Sequence, residues 1–161
     1  ERADAVRSIT SAGIPVMGHI GLTPQSINQL GGFRAQGKTA VAAKRLIEDA
    51  LILEEAGAFS LVLESVPARL AELISKKISI PTIGIGAGVG CDGQVLVTHD
   101  VLGLFDRFTP KFVKKYANFH NEMQKAFADY IEDVETKRFP AQEHTVEMDD
   151  KEWEGLLSEL N

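Results

Sequence analysis

FSLVLESVPARLAELISKKISIPTIGIG, residues 59–86, reads as strand, helix, strand. Phe59 to Leu63 is a continuous apolar run, the pattern of a strand buried on both faces, and it ends by delivering Glu64. Pro67 opens a helix at a position where its missing N–H is harmless, and Leu70, Leu73 and Ile74 form the predicted buried face. Ile80 to Ile85 is a second apolar run, ending in the glycine-rich turn Gly84 to Gly93. Two buried strands joined by a helix make a βαβ unit, and such units build parallel sheets.

The alternation continues on both sides. Upstream, Thr39 to Ala56 carries one apolar stripe, Ala43, Leu46, Ile47, Ala50, Leu53 and Ala56, which predicts a helix that Gly57 stops. Before it lies Pro15 to Lys38, a short apolar run (Ile14 to Met17, the predicted first strand) that opens into a long glycine-punctuated segment, with His19 where the strand is expected to stop. Glu1 to Ser11 reads as a helix capped by Gly13. Downstream, Gln94 to Thr98 is a predicted fourth strand, followed by His99 and Asp100. Pro110 to Tyr116 and Asn118 to Lys137 read as helices, the second with Phe119, Met123, Phe127, Tyr130, Ile131 and Val134 along it. An acidic tail follows, with a short helix over Asp149 to Leu160.

Four strands alternating with helices are half of a (β/α)8 TIM barrel, or a small doubly wound sheet. A chain that opens on a helix with no strand before it reads as a second half, strands five to eight of a barrel. It is expected to be a C-terminal fragment or to be completed by another chain, because a lone half barrel leaves two long sheet edges unpaired. On this reading residues 1–110 are the C-terminal half of the barrel, 111–145 the C-terminal helices of the same domain, and 146–161 an acidic extension.

Composition narrows the function classes. The 161 residues carry a net charge of −6 and no basic patch to track a nucleic-acid backbone. The apolar runs are strand-sized, so no membrane span is expected. The single cysteine, Cys91, has no internal disulfide partner, which fits a reducing compartment.

The chemistry-bearing residues sit at strand ends. A carboxylate at the end of an apolar strand is partly desolvated, which makes Glu64 a candidate base; a helix N-terminal carboxylate is the structural alternative. In a parallel barrel successive strand ends converge on one mouth, which draws His19 toward the same place; a capping histidine is its alternative. The glycines of Gly84 to Gly93 miss the dinucleotide spacing and no P-loop lysine follows, so the turn is read as close backbone approach to a small ligand or as plain turn geometry. His99 and Asp100 lack a serine elbow and are given a supporting role. Cys91 is not assigned as a nucleophile, His120 and His144 are taken as surface residues, and no metal-ligand grouping is present in the sequence.

GHIGLTPQSINQLGGFRAQGK, LVLESVP, IPTIGIGAGVGCDGQVLVTHD and PKFVKKY, in this order and spacing, closely resemble the ketopantoate (3-methyl-2-oxobutanoate) hydroxymethyltransferase family. The resemblance covers Glu1 to about His144. It implies a (β/α)8 barrel that transfers a hydroxymethyl group from 5,10-methylenetetrahydrofolate to 3-methyl-2-oxobutanoate, on the way to pantothenate and coenzyme A, with a divalent metal, usually magnesium, polarising the oxo acid. It assigns Glu64 as the base that takes the C3 proton, His19 as a hydrogen-bond partner of the oxo acid, and Ile85 as the wall for its isopropyl group. The family's metal ligands belong to an N-terminal half, so no metal ligand is expected in this chain, and no turnover from it alone. The resemblance further implies a cytoplasmic enzyme assembled as a large homo-oligomer, commonly a decamer, with residues 118–137 packing on neighbours. Two other readings stand beside it: a carbon–carbon lyase of the phosphoenolpyruvate-utilising barrel group, and a non-catalytic half-barrel assembly subunit.

Overall fold

The computed structural model describes residues 3–24 and 35–160. Helix α1 (Ala3–Ser11) leads into strand β1 (Met17–Gly21), followed by α2 (Ala40–Glu55), β2 (Ser60–Glu64), α3 (Ala68–Lys77), β3 (Thr82–Ile85) and β4 (Gly93–Gln94). The short α4 (Thr98–Val101), α5 (Phe119–Glu135) and α6 (Asp150–Leu160) complete the chain. The four strands form one sheet in the order β1-β2-β3-β4, and every pairing is parallel. Among the described residues the strand order never reverses, and the sheet shows no topological switch point of the doubly wound kind.

Local chemistry explains most boundaries. Thr39 caps α2 by accepting the Ala42 N–H, and Pro67 stands at the N-cap of α3. The core lies between the sheet and these two helices: Ile20, Leu61 and Leu63 from the strands meet Ala50 from α2 and Leu70, Ala71 and Ile74 from α3. Leu61, Leu63 and Ile74 are fully buried, and each such side chain contributes roughly 1.5–3 kcal/mol from removal of apolar surface from water. Leu73, predicted to lie on that face, is exposed, and Ala71 takes its place because helical spacing sets it beside Leu70 and Ile74.

Three expectations are corrected. The first strand runs Met17–Gly21, so His19 lies inside it and not at its end. Gly18 and Gly21 look like breakers, yet pairing from Met17↔Ser60 to Gly21↔Glu64 holds them in the ladder. Gly18 has no side chain because Leu61 and Leu53 fill its space; a Cβ there would meet a Leu61 methyl at 2.8 Å. The fourth strand shrinks to Gly93–Gln94. Past it, the Val97 carbonyl accepts both the Asp100 and Val101 N–H groups, which turns Thr98 to Val101 into helix. Residues 110–116 form turns and no helix: the Val113 N–H donates to the Pro110 carbonyl within the segment, and the Tyr116 N–H to the Val101 carbonyl outside it.

The strand predicted to be buried on both faces is covered on only one. Leu61 and Leu63 point to the helices, while Val62 and Glu64 lie half-buried on the opposite face with His19, Ile83 and Ile85. Strand alternation places these residues on one side, and among the described residues no helix layer covers it.

A polar clamp fixes the start of β3. Asp92 Oδ2 accepts from the Thr82 N–H (2.8 Å) and hydroxyl (2.9 Å), and the Ser75 hydroxyl lies 2.7 Å from that of Thr82. These hydrogen bonds from Thr82 hold the Asp92 carboxyl below the usual carboxylate range. A depressed folded-state value means that the clamp stabilises the fold above the unfolded carboxylate range and loses its effect as pH falls through the folded value. Asp92→Asn is therefore expected to lower the melting temperature at pH 7 and to flatten its fall in acid. Thermal melts between pH 2 and 7 measure both; parallel curves for the two proteins would contradict it.

Candidate active site

Parallel pairing sets the site. Gly21, Glu64 and Ile85 are register partners across β1, β2 and β3 at the carboxyl edge of the sheet. His19 is one step back on the same face, beside Val62. Gly21 adopts φ +92, and a Cβ on it would lie 2.2 Å from the Glu64 carbonyl oxygen and 2.7 Å from a Val66 methyl. The glycine therefore lets β1 close onto the backbone of Glu64, and the Leu22 N–H donates to that carbonyl at 2.8 Å.

The chain then bends sharply. Ser65 has φ 51, a left-handed conformation that side chains rarely adopt. Its N–H donates to the Ile85 carbonyl at 2.8 Å and its carbonyl accepts the Gln36 N–H at 2.9 Å. Strain of this kind, of order 1–3 kcal/mol, persists where surrounding bonds over-determine it and gathers at functional sites. Here it ends β2 abruptly and leaves the Glu64 side chain at the mouth, 15% exposed.

His19 Nε2 lies 3.0 Å from Glu64 Oε2. The distance is that of an ion pair, but the ring is not aligned to donate, and Nε2 is buried with no hydrogen-bond partner among the described residues. A buried polar atom left in that state is satisfied by a group outside the chain or by water. On its other side His19 lines a cavity of about 390 Å³ with Gln36, Arg45 and Asp49.

Glu64 and Ile85 open together into a larger cavity of about 480 Å³, within the range of small-molecule sites, roughly 300–1,000 Å³. Phe105, Phe108, Lys111 and Phe112, from the segment after α4, line it as well. Asp100 also lines it. The structure thus brings Glu64 and Ile85 into one cavity and His19 against Glu64. Residues 25–34 of the glycine-punctuated segment after the first strand lie outside the described residues.

Asp100, Lys111 and the three phenylalanines line this cavity and were not singled out from the sequence. A signal existed: Asp100 lies in the segment that follows the last strand, as Glu64 ends β2, and strand ends of one parallel sheet share a mouth. The neighbouring His99 turns away into another cavity with His120 and Phe127. His120 is no free surface residue either, since its Nε2 sits 3.0 Å from Asp106 Oδ2. His144 uses Nδ1 to accept the Ala141 N–H. The glycine-rich turn is packed by its own chain: a Cβ on Gly86 would strike the Phe112 ring at 2.8 Å, and one on Gly88 the Ala68 side chain at 2.5 Å. The close approach expected there for a ligand is made by these side chains.

Among the described residues, no group of three or more His, Cys, Asp or Glu could hold a metal ion. The described residues do not fit a magnesium site.

The family model described as ketopantoate hydroxymethyltransferase matches residues 1–142. The chain belongs to that family. Ketopantoate hydroxymethyltransferase relatives include the 3-methyl-2-oxobutanoate hydroxymethyltransferase of Enterococcus faecalis, 60% identical over 156 residues, which cover 97% of this chain and 57% of that protein. Those of Syntrophus aciditrophicus and Clostridium beijerinckii are 60% and 55% identical, with 90% and 96% of this chain covered and 53% and 56% of the relatives. The chain therefore spans about half the length of the curated relatives it matches. An α/β fold with a parallel sheet agrees with a barrel enzyme family of this kind, and no helix among the described residues is long and apolar enough to cross a membrane.

Proposed function

We propose that this chain supplies the general-base half of a 3-methyl-2-oxobutanoate hydroxymethyltransferase, as strands five to eight of a (β/α)8 barrel. The observation that carries the reading is the Glu64 carboxylate at the end of β2, set against His19 at 3.0 Å and opening with Ile85 into an apolar-walled cavity. The half-buried sheet face that bears these residues is the face a barrel interior would need. The four strands in sequential parallel order support the same reading.

The chemistry follows from these groups. Glu64 takes the C3 proton of the oxo acid. The resulting carbanion, delocalised as an enolate, attacks the methylene carbon of 5,10-methylenetetrahydrofolate. The C3–H bond and both C–N bonds of the methylene bridge break; a C–C bond to C3 and a C–O bond to a water oxygen form, and the two nitrogens of the departing tetrahydrofolate take up the C3 proton and one proton of that water. His19 Nε2, buried and without a hydrogen-bond partner among the described residues, hydrogen-bonds an oxygen of the oxo acid and so orients C3 toward Glu64. Ile85 packs on the isopropyl group. The magnesium that the resemblance implies would take its ligands outside this chain, and no step above is routed through it.

The reading carries with it a cytoplasmic enzyme and a large homo-oligomer. The face of α5, where Phe127, Tyr130 and Ile131 are each more than half exposed, is the surface such an assembly would cover.

The test uses the complete natural polypeptide that carries these residues, given both substrates in the presence of magnesium. Formation of 2-dehydropantoate that requires both is the expected result. Product formation without a folate, or none with both, would contradict the reading.

A further inference from the structure

The cavity that Glu64 lines carries more groups than a short oxo acid needs. Glu64 offers it a polar group and Ile85 an apolar one, which matches a short branched oxo acid. The same cavity is also lined by three phenylalanines, one lysine and a second carboxylate. The rings of Phe105, Phe108 and Phe112 are each at least 40% exposed, a cost in water-exposed apolar surface that an occupant would relieve. Phe112 lies in a fixed place, because the missing side chain of Gly86 leaves room for its ring. The Asp100 side chain makes no hydrogen bond or ion pair among the described residues and lines the same cavity as the rings.

We infer that these groups hold the pteridine ring of the one-carbon donor, with Asp100 as the residue that recognises it. The inference rests on the hydroxymethyltransferase reading above. A reduced 2-amino-4-oxopteridine has a flat unsaturated ring, which stacks on aromatic side chains. Along one edge it presents two adjacent donors, N3–H and the 2-amino group. A carboxylate accepts both at once, as carboxylates accept paired N–H donors elsewhere, and the bonds are charge-assisted. The folate's glutamate tail is anionic, and Lys111 supplies the only cation on this cavity's wall among the described residues. Aromatic faces, a free carboxylate and a lysine therefore match the ring, its donor edge and the tail of one molecule. Seating that molecule beside Glu64 brings its methylene carbon to the carbon the base deprotonates. Asp100 is thus a donor-binding and specificity-determining residue with no part in proton removal.

The experiment uses the complete natural polypeptide and two variants, Asp100→Asn and Phe112→Leu. The first presents an amide N–H to the pterin donors; the second keeps the carboxylate and removes a stacking face. Two readouts are needed: the KM for each substrate, and C3 hydrogen–deuterium exchange of the oxo acid without folate. Asp100→Asn is expected to raise the KM for methylenetetrahydrofolate by about tenfold or more, and Phe112→Leu by a smaller factor. The KM for the oxo acid and the exchange rate should stay within about twofold. A folate KM within about twofold of the parent in both variants would overturn the inference, and so would loss of exchange in step with turnover, because the residues would then serve the oxo acid. A parent protein that exchanges C3 but needs no folate for product would overturn the underlying reading as well. The two failures are therefore told apart by the parent alone.

Discussion

Glu64→Gln, in the complete natural polypeptide, is expected to lower kcat by about 10²–10⁴-fold, the range of general-base catalysis. The amide matches the carboxylate in shape and cannot take a proton. Glu64 lies at a strand end held by backbone bonds from Leu22 and Ser65, not by its own side chain, so the fold should survive the change. The KM for both substrates should move little, because the loss falls on the transition state. Steady-state assays with a circular-dichroism melt check this. A variant within about threefold of the parent would remove Glu64 as the base.

Gly21→Ala should have the largest structural effect of any single methyl group added near the site. Two costs combine. Alanine disfavours φ +92, and its Cβ would lie 2.2 Å from the carbonyl oxygen of Glu64, a backbone atom that cannot swing aside. Either β1 separates from β2 or the turn at Ser65 shifts. The expected destabilisation is about 3 kcal/mol or more, a large share of the 5–15 kcal/mol typical of a domain. Any folded fraction should be nearly inactive, since the clash falls on the residue proposed as the base. Urea denaturation measures the first effect and an assay at low temperature the second. A midpoint equal to the parent's would show that the approach of β1 to Glu64 is looser than the structure has it.

The two effects show what the sequence could and could not reveal. The β2–α3–β3 unit was legible because its apolar runs are long and Pro67 marks the helix start. β1 was misplaced because Gly18 and Gly21 carry a breaker's signature. Their actual reason for being glycine is tertiary: Leu61 and Leu53 occupy the space at one, and the Glu64 backbone at the other. Residues 110–116 looked helical locally, but the Tyr116 N–H bonds to the Val101 carbonyl of α4, a partner that periodicity does not disclose. At the candidate site, Glu64 and His19 drew attention because they end or flank apolar runs, and Ile85 only through the family resemblance. Asp100 was passed over because its neighbour His99 suggested a side-by-side pair. In the short helix α4 the two side chains diverge into separate cavities, and only the three-dimensional arrangement sets Asp100 with Glu64. The three phenylalanines lie in irregular chain, where no period marks a face.

The central claim is that Glu64 removes the C3 proton. Proton NMR of 3-methyl-2-oxobutanoate in D₂O, with magnesium and the complete natural polypeptide but no folate, follows that step alone. The C3 proton signal should disappear with the parent protein and persist with Glu64→Gln at the same concentration. Exchange by the variant at the parent's rate would contradict the account.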